Sequence, residues 1–108
     1  MEKLSFDSVK LGDTLPEITR SVDQEAIWLN AAASLDYNPV HTDPEWCART
    51  SHLGRGSTVA HGMMTMSFMA TVLSNWAYPV GGKVKSMESK FINPVPPGYV
   101  LTDRKSVV

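Results

Sequence analysis

The longest run of apolar side chains extends from Gly62 to about Trp76 and places one on nearly every helical face. A helix that is apolar all round is typical of a segment that the rest of the fold surrounds. The run is shorter than the ~20 residues needed to cross a bilayer. It also contains serine, threonine and asparagine side chains. We therefore predict a long buried helix rather than a membrane span.

Start signals place two shorter helices upstream of this run. Ser21, with Gln24 three residues later, has the capping-box arrangement, which predicts a helix from about Val22 to Ser34. Asp43 followed by Pro44 supplies a capping side chain and a proline at the first helical position, which predicts a second helix start.

Strand signals are short and lie towards the two ends of the chain. An extended piece is predicted from Thr14 to Arg20, where Pro16 restricts it to a sheet edge or a strand start. A second strand is predicted over Lys83 to Ile92, and a third begins at Tyr99 after a turn rich in proline and glycine. Helices followed by strands favour an α+β fold over a doubly wound sheet.

Composition limits the classes of function. The 108 residues carry a formal net charge of −1, so no global field attracts a polyanion and nucleic acid is excluded as a main partner. At this mass surface scaling supports one core, and hence a single domain over residues 1–108. Cys47 is the one cysteine, so an internal disulfide cannot form. The first five residues lack the order of a signal peptide, which predicts a cytoplasmic protein.

Candidate chemistry is concentrated in the segment from Asp36 to Asp43. Asp36 and His41 lie five residues apart across a turn at Asn38-Pro39, so that two acid–base groups can face one point. A proton-transfer reaction needs such a pair, because one group takes a proton while the other delivers one. The spacing alone leaves a second interpretation open, in which Asp and Asn form a turn and the histidine binds a backbone carbonyl.

A second candidate feature is the start of the long helix at His61-Gly62. Free N–H groups and the positive end of the helix dipole lie at such a start, and Gly62 has no side chain to keep a ligand oxygen away. The Gly62 N–H could therefore bind an oxyanion. The alternative is that Gly62 only allows two elements to pack closely, with His61 fixing the loop before the helix.

These features occur together in a recognisable order. Residues 36–63 read DYNPVHTDPEWCARTSHLGRGSTVAHGM. This segment resembles the signature of MaoC-like dehydratases and (R)-specific enoyl-CoA hydratases, in which D-x-N-P-hydrophobic-H is followed by an acidic-Pro helix start and an H-G-M helix entry. Residues 9–13 and 91–98 also resemble the family, so the resemblance covers nearly the whole chain.

The resemblance implies the hot-dog fold, in which an antiparallel sheet wraps a long helix, and implies pairing into homodimers or higher oligomers. It implies hydration of a 2-enoyl thioester, or the reverse dehydration, with coenzyme A or acyl carrier protein as part of the substrate and no metal or redox cofactor. On this chain Asp36 and His41 would activate water and move the proton. Gly62 would polarise the thioester carbonyl, and Asn38 would orient the turn.

The last strands of the family's sheet have no counterpart after Tyr99, because only a few residues follow the predicted strand. We therefore expect an apolar face that is shared between chains, by dimerisation or by strand exchange. The same feature favours an alternative function, a non-catalytic hot-dog subunit that binds a partner subunit or an acyl thioester.

Two further interpretations are weaker. A thioesterase on the same fold would not require the D-x-N-P-V-H arrangement. A metal cluster is disfavoured because the histidines lack tight ligand spacing. The side chains considered for that cluster are Asp36, His41, Asp43, His52 and His61.

Overall fold

The computed structural model describes residues 4–108 and contains four α-helices, three short 3-10 helices and two strands in that range. The prediction of a cytoplasmic location rests partly on residues 1–3, which lie outside the described range, and stays a prediction. No helix of residues 4–108 has the length and hydropathy that a membrane span needs. In chain order the α-helices and strands are β1 (Ile18–Val22), α1 (Gln24–Ser34), α2 (Pro39–Thr42), α3 (Pro44–Thr50), α4 (Gly62–Ala77) and β2 (Tyr99–Asp103).

Helix α1 begins two residues later than predicted, and its cap is Asp23 rather than Ser21. The Asp23 carboxylate accepts a hydrogen bond from the Ala26 N–H at 2.7 Å. Ser21 and Val22 belong to β1, where they pair with β2. The prediction was wrong at this point because the backbone groups of Ser21 are used in the sheet, which leaves the next acidic side chain to cap the helix.

The sheet consists of β1 and β2, paired antiparallel from Ile18 opposite Asp103 to Val22 opposite Tyr99. Of the extended piece predicted from Thr14 to Arg20, residues 18–20 lie in β1 and Thr14 forms an isolated bridge with Ser106. The prediction of a strand at Tyr99 is confirmed. The predicted strand over residues 83–92 is wrong, since this segment pairs with no other strand of the described chain. A strand is stable only where a neighbour takes up its backbone hydrogen bonds.

Helix α4 has the predicted start and nearly the predicted end, but it is only half covered. Its buried residues are Met64 and Val72, while Met63 is 69% exposed. Met64 packs in a core with Val22 of β1 and Ile27 of α1. The two strands pack against α4 around Met64, and most of its other side chains are only partly buried. The chain exposes 7,810 Å², against roughly 6,000 Å² for a compact monomer of this mass.

Candidate active site

Asp36 follows α1 through a left-handed residue. Leu35 has φ of 61° and directs the chain away from the helix axis. The Asp36 side chain is 51% exposed, and its Oδ1 accepts a hydrogen bond from the Asn38 N–H at 3.3 Å. The carboxylate therefore lies at the surface of the site, and its second oxygen, Oδ2, lies 3.9 Å from Nε2 of both His41 and His61.

His41 lies on α2, a four-residue helix that the sequence did not predict. Asn38 caps this helix, because its Oδ1 accepts a hydrogen bond from the Val40 N–H at 3.1 Å, and Pro39 occupies the first turn. The predicted turn at Asn38-Pro39 is thus a helix start. The expected role of Asn38, to orient this segment, agrees with its position but stays a prediction.

The neutral form of the His41 ring is fixed in one tautomer. Its Nδ1 lies 2.7 Å from the Val59 carbonyl oxygen, which can only accept, so Nδ1 carries the proton. The other nitrogen, Nε2, keeps its lone pair and lies 3.9 Å from Oδ2 of Asp36. The structure therefore brings Asp36 and His41 together, and the unprotonated Nε2 of His41 lies on the side of the Asp36 carboxylate.

Two side chains that hold His41 in place were missed by sequence reasoning. The Gln24 amide donates a hydrogen bond to the His41 carbonyl at 2.9 Å, and the Gln24 carbonyl oxygen accepts one from the Thr58 hydroxyl. Thr58 is 1% exposed. The pattern around Gln24 indicated only a capping box, so no signal in the sequence pointed to these contacts.

His61 lies against both acid–base candidates. Its ring stacks on that of His41 with centroids 3.9 Å apart, and its Nε2 donates a hydrogen bond to the Asp36 carbonyl oxygen at 3.0 Å. The ring is 3% exposed, and Nδ1 is buried without a hydrogen-bond partner in the described chain. An unpaired buried acceptor costs roughly 1–3 kcal/mol. The sequence predicted only that His61 fixes the loop before α4.

Gly62 is the first residue of α4, and its N–H has no hydrogen-bond partner among residues 4–108. The Ala60 N–H donates to the Val95 carbonyl at 2.8 Å, which anchors the chain just before the helix. A cavity of about 230 Å³ adjoins this position. Its lining includes Gly62, Thr65 and the ring of Phe91. A ligand oxygen in this cavity could accept a hydrogen bond from the Gly62 N–H.

Three of the five side chains considered for a metal cluster come together. Ligand atoms of Asp36, His41 and His61 lie within 4.8 Å of one another. A metal ion needs lone pairs that converge at about 2.0–2.1 Å. Nε2 of His61 already donates to a carbonyl, so this nitrogen has no lone pair to offer an ion. This geometry is unfavourable for a metal ion, and the expectation of no metal cofactor stays a prediction.

The other two side chains considered for a metal cluster lie elsewhere. Asp43 caps α3 through a 2.9 Å hydrogen bond from the Trp46 N–H, and His52 packs beside the Trp46 ring. Cys47 lies inside α3, where burial and then the Asp43 carboxylate raise the pKa of its thiol. The thiol is therefore protonated at neutral pH and does not serve as a nucleophile.

Comparison with known proteins identifies the domain. The MaoC-like domain family matches residues 7–108, which is nearly the whole chain. The (R)-specific enoyl-CoA hydratase of Rhodospirillum rubrum is 28% identical over 97 residues, which cover 90% of this chain and 65% of that protein. A protein named "Probable dehydratase NIT22" from Ajellomyces capsulatus is 38% identical over 67 residues, which cover 61% of this chain and 17% of that protein. The chain thus spans less than two thirds of the length of these relatives.

Solved structures agree with the expected fold. The (R)-hydratase of A. caviae, described as involved in PHA biosynthesis, superimposes with a TM-score of 0.75 at 27% identity, covering 92% of this chain and 72% of that one. The ChsH1-ChsH2 complex from Mycobacterium tuberculosis matches with a TM-score of 0.71 at 21% identity, covering 86% of this chain and 70% of that one. The prediction of an α+β hot-dog fold is confirmed.

Proposed function

The chain belongs to the MaoC-like domain family, and from that premise we propose that it adds water to trans-2-enoyl thioesters to give (R)-3-hydroxyacyl thioesters, or catalyses the reverse dehydration. Membership of a family of hydratases and dehydratases supports the reaction class. One observation carries the assignment to this site. His41 Nε2 lies 3.9 Å from Oδ2 of Asp36, and both residues contact His61, which directly precedes a helix start with a free N–H.

In the proposed mechanism Asp36 and His41 hold one water molecule between them. The oxygen of that water attacks C3 of the enoyl thioester while the pair takes up a proton from it, and the same pair returns a proton to C2. Hydration thereby adds one water and consumes no cofactor. General acid–base catalysis by such a pair contributes roughly 10²–10⁴ in rate.

The thioester oxygen gains negative charge as water adds to C3, because the electrons of the double bond shift towards the carbonyl. The Gly62 N–H has no internal partner and begins a helix of 16 residues, so the helix dipole also favours negative charge at that end. The neighbouring cavity of about 230 Å³ would receive the part of the acyl group next to the carbonyl. Coenzyme A or acyl carrier protein would carry the acyl group.

The test follows the loss of the conjugated enoyl absorbance of crotonyl-CoA. We expect wild type to hydrate it, and Asp36→Asn and His41→Ala each to lose about a hundredfold or more in kcat. His52→Ala is the matched control, because that histidine lies outside the site beside Trp46. If either site variant keeps its activity while the protein is folded, the acid–base assignment is wrong.

The alternative is a non-catalytic subunit, and the half-covered face of α4 favours it. A folded wild type that hydrates neither short nor longer enoyl thioesters would support that alternative. In either case we propose that a second copy of the chain covers this face, since exposed apolar surface of this extent favours association. Sedimentation that shows a stable, well-folded monomer at low concentration would contradict the association.

A further inference from the structure

We propose that His61 is a positioning residue for the acid–base pair: its Nε2–H, bonded to the Asp36 carbonyl, holds the Asp36 carboxylate beside the His41 ring. The kinetic part of this inference rests on the proposed hydratase function, whereas its spectroscopic part does not.

The other hydrogen bonds of Asp36 are local and long. Its N–H lies 3.4 Å from the Ser34 hydroxyl, and its Oδ1 lies 3.3 Å from the Asn38 N–H. The bond from His61 is the shortest of the three, at 3.0 Å, and connects residues 25 positions apart. Because the Asp36 side chain is half exposed, packing holds it little, and this bond fixes the segment to the rest of the site.

His61 is itself firmly anchored. Its side chain is buried, and its carbonyl accepts hydrogen bonds from the N–H groups of Met64 and Thr65 in the first turn of α4. The next residue, Gly62, carries the free N–H of the proposed oxyanion site. The dipeptide His61-Gly62 therefore links the two halves of the site, since one residue places Asp36 and the other offers the N–H to the thioester oxygen.

The unpaired Nδ1 of His61 indicates that this histidine contributes little to folding, so its positioning role can be tested separately from stability. A histidine whose buried Nδ1 has no partner adds little to stability, and an apolar side chain of similar size would leave no buried nitrogen unsatisfied. The Asp36 carbonyl lies on an exposed residue, so water can replace the lost donor. We therefore expect His61→Leu to fold, with a melting temperature within a few degrees of wild type.

The kinetic experiment compares three variants at this position. The amide nitrogen of Gln reaches about the place of Nε2 and can donate, whereas that of Asn reaches only the place of Nδ1. We expect His61→Asn and His61→Leu to lose roughly a hundredfold in kcat for crotonyl-CoA, with KM changed less than about threefold. His61→Gln should recover most of that loss. His52→Gln, a change at a histidine outside the site, serves as the control and should leave kcat unchanged.

A second experiment does not depend on activity. Nitrogen-15 NMR of histidine-labelled wild type at a pH where the rings are neutral should show the proton of His61 on Nε2 and that of His41 on Nδ1. The amide signals of residues 35–38 should move in His61→Leu and stay near their wild-type positions in His61→Gln.

Three results would overturn the proposal: a proton on Nδ1 of His61, folded Asn and Leu variants with kcat within about threefold of wild type, or a Gln variant as impaired as the Leu variant. If wild type is inactive, the hydratase function fails, while the tautomer and the amide signals still decide whether His61 holds Asp36.

Discussion

The Gly62 N–H can be removed by a single substitution, Gly62→Pro. Proline is favoured at the first position of a helix, and Gly62 is the first residue of α4. The preceding residue, His61, has φ of −58° and ψ of 137°, which lies in the region that a following proline permits. Because the N–H has no internal partner, its loss breaks no hydrogen bond of the described chain.

We expect Gly62→Pro to raise the stability of the protein slightly and to lower its catalytic rate. A compatible glycine-to-proline change stabilises a protein by about 0.4–1 kcal/mol, because it restricts the unfolded chain. Loss of one oxyanion donor raises the barrier by roughly 2.7–4 kcal/mol, which is about 10²–10³ in kcat. We expect Gly62→Pro to melt at the wild-type temperature or slightly above it, and to lose at least a hundredfold in the hydration of crotonyl-CoA.

Gly62→Ala is the matched control, because alanine keeps the N–H. Its added Cβ would lie 3.7 Å from the Phe91 ring, an ordinary contact distance, so we expect a much smaller loss of activity. A folded Gly62→Pro variant with kcat within about threefold of wild type would refute the role of the N–H. Equal losses in the alanine and proline variants would instead indicate that free space at Gly62 matters, and not the N–H.

Three further predictions concern the segments around the site. Asn38→Ala removes the cap of α2 and should lower the free energy of unfolding by about 0.5–2 kcal/mol in urea titrations, whereas Asn38→Asp should lower it less. Leu35→Gly relieves a left-handed backbone at a side chain that is 75% exposed, and should raise that free energy by up to about 1 kcal/mol. Leu29→Gly, inside α1, should lower the free energy of unfolding. If Leu35→Gly and Leu29→Gly change it in the same direction, this reasoning is contradicted. The raised pKa of Cys47 means that the unfolded thiol ionises first, so unfolding should become easier as pH rises above about 8.5; Cys47→Ala should lack that loss of stability.

The features predicted correctly from the sequence are those determined by neighbouring residues. The start of α3 at Asp43-Pro44 and the start of α4 at Gly62 depend on a cap, a proline or the beginning of an apolar run, all within one turn of helix. The proximity of Asp36 and His41 also follows from short spacing along the chain. Local chemistry was sufficient in each case.

The features missed depend on partners far along the chain. Whether residues 83–92 form a strand is decided by the presence of a neighbouring strand, which their own pattern does not encode. The contacts of Gln24 with Thr58 and of His61 with Asp36 connect residues 34 and 25 positions apart. Sequence reasoning predicted two candidate residues for acid–base chemistry but not the histidine that lies against both.

The backbone of Val59 is hydrogen-bonded to α2 through both its N–H and its carbonyl. Its N–H donates to the Val40 carbonyl at 3.1 Å, and its carbonyl accepts from the His41 ring at 2.7 Å. The exposed loop over residues 51–57 leads into this junction but contributes none of its bonds. The cost of closing a loop grows by only roughly 0.6 kcal/mol for each doubling of its length. This loop is therefore where the chain should accept an inserted peptide, such as an affinity tag or a fluorophore site, while the geometry of the two histidines is preserved.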